Sequence, residues 1–231
     1  MTLAVEQLVI TQGDFRLEAD FTLAEGARAG VIGPSGGGKS TLLSVIAGFF
    51  APRSGRVLWH GADITALPPA DRPLSILFQD NNLFPHLTAA QNVGLGLRPD
   101  LRLSRAQKAQ VGRALERVGL DGFGDRRPAA LSGGQQGRVA LARVLLRGRP
   151  LLLLDEPFAA LGPALRAGML ELVREIVAEA GLTLMMVSHD PRDLQALDGV
   201  AILVAEGRAH APVATEALLA DPPPALRADL G

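Results

Sequence analysis

From Phe15 to Leu23 the apolar residues Phe15, Leu17, Ala19, Phe21 and Leu23 alternate with Arg16, Glu18, Asp20 and Thr22, a period of two that predicts a strand buried on one face. The stretch 3–10, Leu-Ala-Val-Glu-Gln-Leu-Val-Ile, predicts a companion strand, and Glu25-Gly26 a turn. Residues 29–32, 151–155, 183–188 and 200–205 are apolar almost without interruption, as strands covered on both faces are. Shorter strands are predicted at 56–59, after the turn Pro52-Arg53-Ser54-Gly55, and at 75–78, ending at Gln79. Helical signals lie between and after these. Thr88-Ala89-Ala90-Gln91 and Ser104-Arg105-Ala106-Gln107 are capping boxes, and the second opens a helix with Val111, Leu115 and Val118 on one face, closed by Gly119. From Pro163, the residues Leu165, Met169, Leu172, Val173, Ile176 and Val177 recur at helical spacing and predict a core-facing stripe. Residues 81–150 thus form a mostly helical insert, and the alternation of strands and helices around it predicts an α/β fold on a mainly parallel sheet. The tail after Pro222-Pro223-Pro224 is expected to be a surface segment.

Composition narrows the classes. A chain of 231 residues, 48% hydrophobic, suits one large domain or one domain with an inserted subdomain. A formal charge of -1 offers no global field for nucleic acid. The absence of cysteine excludes disulfides, cysteine nucleophiles and zinc–thiolate sites. No basic region followed by an apolar stretch marks a secretory signal, and no apolar run approaches a membrane span, since Leu151-Leu152-Leu153-Leu154 is cut by Asp155 and Glu156. A soluble, cytoplasmic protein is the expectation.

The chemistry starts at Gly33-Pro34-Ser35-Gly36-Gly37-Gly38-Lys39-Ser40-Thr41, between a predicted strand and a predicted helix. This is the G-x-x-x-x-G-K-S phosphate-binding loop in its required context. Its glycines let successive N–H groups turn inward, and the helix N-terminus adds partial positive charge. Lys39 is placed to bridge the outer phosphates of ATP and Ser40 to hold Mg²⁺. Only Lys39 and Lys108 are lysines among 23 basic residues, so lysine is kept where a compact point charge is wanted. The strand at 151–155 delivers Asp155 and Glu156. Asp155 suits the Mg²⁺ ion and Glu156 suits a general base for an attacking water. Many NTPases share these two features.

Leu131-Ser132-Gly133-Gly134-Gln135 is a third capping box, opening a helix that carries Val139, Ala142, Leu145 and Leu146, and its two glycines admit close approach of an anion. With all three motifs in this order, nearly the whole chain resembles the ATP-binding cassette (ABC) family. The resemblance implies a single cassette, with a P-loop core at about 1–80 and 151–231, an antiparallel N-terminal β region, and a helical subdomain at about 81–150. It implies a homodimer in which Ser132 and Gly134 reach the γ-phosphate on the partner's phosphate loop, with Gly133 and Gln135 in the same nucleotide-binding stretch. Gln79 corresponds to the glutamine that senses Mg²⁺ and γ-phosphate, and His189 to the histidine that contacts the γ-phosphate.

The chain departs from the family pattern at three points. Gly162 replaces an aspartate in Ala159-Ala160-Leu161-Gly162. Gly137 replaces an arginine after the glycine-flanked serine. Gln12 stands where the family stacks an aromatic residue on adenine, the chain has no tyrosine, and Phe15 is the available substitute. The resemblance further implies separate membrane-spanning permease chains, a solute-binding protein that acts through them, and a peripheral place on the cytoplasmic face of the inner membrane. The segment 79–88 is the surface that would grip the permease, unless its apolar side chains are subdomain core. Residues 72–79, 81–84 and 90–97 are similar to the thiamine-importer branch of the family, with iron or a sulfonate as alternative cargo. A soluble cassette acting on ribosomes or nucleic acid, and a small-molecule kinase, explain fewer of the motifs.

Overall fold

The continuous apolar runs form the middle of one sheet. The computed structural model describes residues 2–159 and 161–230, so that Ala160 of the loop before Gly162 lies outside the described residues. Its strands are β1 (Leu3–Gln12), β2 (Phe15–Leu23), β3 (Arg28–Ile32), β4 (Ser54–Trp59), β5 (Ala62–Asp63), β6 (Leu74–Leu77), β7 (Leu151–Asp155), β8 (Thr183–Val187), β9 (Val200–Ala205), β10 (Arg208–Ala209) and β11 (Val213–Ala214). Its helices are α1 (Lys39–Ala47), α2 (Ala89–Gly94), α3 (Arg105–Arg117), α4 (Gly133–Leu146), α5 (Pro163–Ala180), α6 (Pro191–Leu197), α7 (Thr215–Ala220) and α8 (Pro224–Leu230). The strand order is β5-β4-β1-β2-β10-β9-β3-β8-β7-β6, with β11 on β9. Strands β9, β3, β8, β7 and β6 run parallel, whereas β1 pairs antiparallel with β2 and β4.

Both faces of the parallel strands are covered, which is why their sequences lack alternation. Leu151, Leu153, Met185 and Val187 face α1 and the antiparallel strands, while Leu152, Leu154, Leu184 and Met186 face α4 and α5. Each of these leucines is at most 2% exposed, and burial of one such side chain contributes about 1.5–3 kcal/mol. Between β6 and β7 the chain leaves the sheet for α2, α3 and α4, which bury Val93, Val111, Leu115, Val139 and Ala142 in a core of their own. All three capping boxes form, each with the serine or threonine oxygen on the N3 amide and the glutamine returning to the cap amide.

The structure departs from the pattern reading in four places. β1 changes the parity of its buried face, from Leu3 and Val5 to Leu8 and Ile10, through a bulge at Gln7 with φ 45°. β4 starts at Ser54 rather than after Gly55, because Gly55 at φ 88° lies against that bulge: a Cβ there would meet the Gln7 carbonyl oxygen at 2.4 Å. Leu165 is 52% exposed, since the first turn of α5 projects beyond the core that buries Met169, Val173 and Ile176. The tail is not a plain surface segment: it forms α8, and Leu226 is fully buried with Leu194, Leu203 and Leu218.

Candidate functional site

The parallel strands end in step. Leu77 pairs with Leu154, Leu154 with Met186, and Met186 with Gly30. Gln79, Asp155, Glu156, His189 and Gly33 therefore leave the sheet along one edge, the carboxyl end of its strands, where ligands of α/β folds bind.

Between β3 and α1 the loop depends on absent side chains. Gly33 lies at φ 150°, and a Cβ there would fall 2.0 Å from the Val204 carbonyl oxygen. Gly38, at φ 99°, is the N-cap of α1 and supplies no side-chain cap, so the first-turn N–H groups point outward uncapped by a side chain. A Cβ on Gly38 would meet the Phe15 ring at 2.5 Å. Phe15 thus packs beside the loop, half-buried, while Gln12, opposite it on β1, is exposed.

Lys39 is 6% exposed and its Nζ donates to the carbonyls of Gly33 at 2.7 Å and Pro34 at 3.0 Å. Ser40 Oγ donates to Asp155 Oδ1 at 2.8 Å, joining α1 to the end of β7. Burial pushes the Asp155 carboxyl above the ordinary carboxylate range; Glu156 adds to this, while the Ser40 hydrogen bond and Lys39 oppose it. A cation on this pair would relieve that penalty. A hydroxyl and a carboxylate side by side are the oxygen donors a small hard ion such as Mg²⁺ takes.

Glu156 sits at φ 45°, a left-handed conformation that is rare for this residue type and is held by its N–H donating to the Val187 carbonyl at 3.2 Å. His189 Nδ1 lies 3.5 Å from Glu156 Oε2, and the histidine side chain is half exposed. One chain thus brings together Lys39, Ser40, Asp155, Glu156 and His189. Gln79 is exposed beyond the end of β6. The side chains of Ser132 and Gln135 hydrogen-bond within the α4 cap, Gln135 N to Ser132 Oγ at 3.3 Å and Ser132 N to Gln135 Oε1 at 2.9 Å.

Several residues that no motif exposes shape the surroundings. Arg143 on α4 donates to the carbonyls of Asn81 and Asn82, both at 2.8 Å, and so fixes the loop after Gln79, whose φ values at those asparagines are 56° and 46°. Asn92 is fully buried and binds Phe84, Leu87 and Thr88 through their backbones, leaving Phe84 exposed on the surface. The apolar side chains of segment 79–88 therefore divide: Leu83 packs against two cores and Phe84 faces outward. Gly137 leaves room beside Asn81 Oδ1, a buried oxygen without a hydrogen-bond partner among the described residues.

Gly162 is the N-cap of α5, with extended backbone, no side-chain cap and nothing within 4 Å of an added Cβ. Gly162→Asp is therefore expected to fold normally and to gain a few tenths of a kcal/mol from the cap, about 0.3 kcal/mol. It is expected to alter the ATP concentration dependence of hydrolysis, read as a change in Hill coefficient; an unchanged curve would show that this position does not couple two sites.

The ABC transporter family profile matches residues 17–159. The Thiamine import ATP-binding protein ThiQ of Cereibacter sphaeroides is 62% identical over 229 residues, covering 99% of each chain. Its counterpart in a Ruegeria species is 55% identical over 229 residues, again 99% of each. Among solved structures, the dimeric ATP-binding cassette MJ0796 in a post-hydrolysis state, bound to ADP and Pi, gives a TM-score of 0.80 at 27% identity over 92% of this chain and 98% of that one.

Proposed function

The chain belongs to the ABC transporter family, and on that premise we propose that it is the ATP-hydrolysing, energy-coupling subunit of a bacterial importer for thiamine and its phosphates. The observation that carries the ATPase reading is the Ser40–Asp155 hydrogen bond of 2.8 Å beside a lysine curled into a glycine loop. Thiamine rests on the 62% identity to the Cereibacter protein, because nothing in the site itself reads a solute.

In this reading Gly33, Pro34, Ser35, Gly36, Gly37, Gly38, Lys39, Ser40 and Thr41 cradle the triphosphate of ATP. Ser40, Asp155 and Gln79 would hold Mg²⁺, which when bound neutralises charge on the phosphates. Glu156 takes the proton from the attacking water, and His189 beside it contacts the γ-phosphate. Ser132, Gly133, Gly134 and Gln135 of a second copy close over the same ATP. Closure and reopening of the homodimer move separate integral membrane permease chains, gripped at the face that carries Phe84. A solute-binding protein acts through those chains, and nucleic acid has no part. The subunit lies peripherally on the cytoplasmic face of the inner membrane; among the described residues no helix is long and apolar enough to cross a bilayer.

Solute uptake into vesicles reconstituted with the cognate permease and binding protein tests this. Labelled thiamine is expected to accumulate only with ATP on the side of this subunit. ATP-driven uptake of iron or a sulfonate instead of thiamine would overturn the cargo, and hydrolysis stimulated by nucleic acid instead of the permease would overturn the class.

A further inference from the structure

The His189 side chain is half exposed, yet the residues on either side of it are held by hydrogen bonds. Arg166, on the second turn of α5, meets Asp193 on α6 with two parallel bonds, Nε to Oδ1 at 2.8 Å and Nη2 to Oδ2 at 2.5 Å. Arg166 Nη2 also donates to Ser188 Oγ at 3.2 Å. The Ser188 hydroxyl donates to Asp193 Oδ2 at 2.5 Å and accepts from the Asp190 amide at 3.0 Å. Its one donor and two acceptor positions are then all used. Asp190 in turn caps α6, with Oδ1 accepting from the Arg192 amide at 2.9 Å. Ser188 and Asp193 are 2% and 4% exposed and the Arg166 side chain is partly buried, so the acceptor end of the cluster is shielded from water, whereas the His189 side chain between Ser188 and Asp193 in the chain is half exposed.

Stability alone does not explain such a cluster. A buried ion pair gives up much of its attraction to desolvation, and apolar residues of similar size in its place are often neutral or stabilising. What the ionic version adds is geometry, since a forked guanidinium admits one orientation of the carboxylate. Through Asp193 that orientation reaches Ser188 and the Asp190 amide, the two neighbours of His189. The other end of Arg166 belongs to α5, whose amide at 166 donates to the Gly162 carbonyl at 3.0 Å. The cluster therefore ties the segment that follows Glu156 to the loop that carries His189.

We propose that Arg166, Asp193 and Ser188 are positioning residues for the hydrolytic step, a buried clamp that holds His189 at the distance from Glu156 seen here. This rests on the roles given above to Glu156 and His189. The clamp touches no substrate atom; it acts through the backbone of residues 188–190.

The test separates positioning from support. The double variant Arg166→Met with Asp193→Leu replaces the ion pair by apolar side chains and frees Ser188. It is expected to melt near the native temperature and to bind a fluorescent ATP analogue with native affinity. Its kcat is expected to fall by about 10²-fold, as a small misplacement of a reacting group allows, with KM for ATP within about threefold. Adding His189→Ala to it is expected to cost less than about threefold more, because groups acting through one another are not additive. Native turnover in the folded double variant overturns the proposal, and so do losses that multiply. Should the double variant fail to fold, Ser188→Ala serves, since it keeps the ion pair: kcat about 3–10-fold lower at unchanged melting temperature supports the clamp, and native kcat overturns it. His189→Ala alone with native turnover would instead remove the role given to His189, and the clamp with it, whatever the clamp variants do.

Discussion

Glu156→Gln is expected to lower ATP turnover by about 10²–10⁴-fold while leaving folding and nucleotide binding intact. The amide matches the carboxylate in shape but cannot take a proton from water at neutral pH. Other consequences of the exchange are small or favourable. The left-handed backbone at φ 45° is as available to glutamine as to glutamate, so no strain is added. Glu156 is one of the groups that raise the Asp155 pKa, so its neutralisation eases ionisation of Asp155 and favours the cation beside Ser40. The contact to His189 Nδ1 at 3.5 Å can be kept by the amide oxygen. Nucleotide should therefore stay bound, and in the homodimer scheme the closed pair should persist. Phosphate release at saturating ATP, with size-exclusion chromatography in ATP and Mg²⁺, reads both halves. Wild-type release rates would remove Glu156 from the chemistry, and a variant unable to bind ATP would assign it to binding instead.

How much of this was legible beforehand depends on the range of the interaction. Gly33, Gly38, Lys39 and Ser40 declare themselves because a phosphate loop is a local backbone device: nearly all it needs lies within nine consecutive residues. The capping boxes at Thr88, Ser104 and Ser132 are legible for the same reason, each closing over three residues. Asp155, Glu156 and His189 become legible one step later, as carboxyl ends of apolar strands. The in-step register that aligns those ends belongs to the sheet and is not visible in any one strand.

Other features were hidden for physical reasons. Arg166 and Asp193 lie 27 residues apart on different helices, and arginine is so common in this chain that one more carries no signal. Leu165 obeys the helical stripe but falls in a turn that overshoots the core, which periodicity cannot register. Leu226 follows three prolines, and its burial depends on a hollow made by β9, α6 and α7. The Gln7 bulge did leave a trace, in the switch from odd to even apolar positions between Val5 and Leu8. Whether Ser132 meets a second copy's nucleotide is set by an interface, and no single chain contains it.

The largest loss of stability is expected at Arg72, which is 1% exposed and, among the described residues, makes no salt bridge, Asp63 acting on it only through its charge: its guanidinium is spent on four backbone carbonyls. It donates to Thr65 at 2.6 Å, Ile46 at 2.7 Å, and Leu67 and Val45 at 2.9 Å each. Two of these belong to the last turn of α1, the helix that begins with Lys39 and Ser40, so a cation caps the negative end of the phosphate helix. Burial lowers the Arg72 pKa, so part of the gain from those bonds is offset by desolvation of the charge. Arg72→Met keeps the apolar stem and escapes that offset, but it leaves the carbonyls without their donor. Val45 retains the Gly48 amide as a partner; those of Ile46, Leu67 and Thr65 lose the Arg72 bond. At about 1–3 kcal/mol for a buried acceptor left unsatisfied, and allowing for water entering the gap, the net cost is about 3–5 kcal/mol. A chain of 231 residues should then melt roughly 6–20 °C lower. Gly48 closes the argument from the other side, since a Cβ there would meet Arg72 Nε at 2.5 Å, and the helix ends on glycine to admit the guanidinium. Calorimetry of Arg72→Met and Arg72→Lys tests it: lysine, with one nitrogen in place of three, is expected to fall between native and methionine. Methionine melting within a degree or two of native would show that the four bonds merely balance the cost of burying the charge.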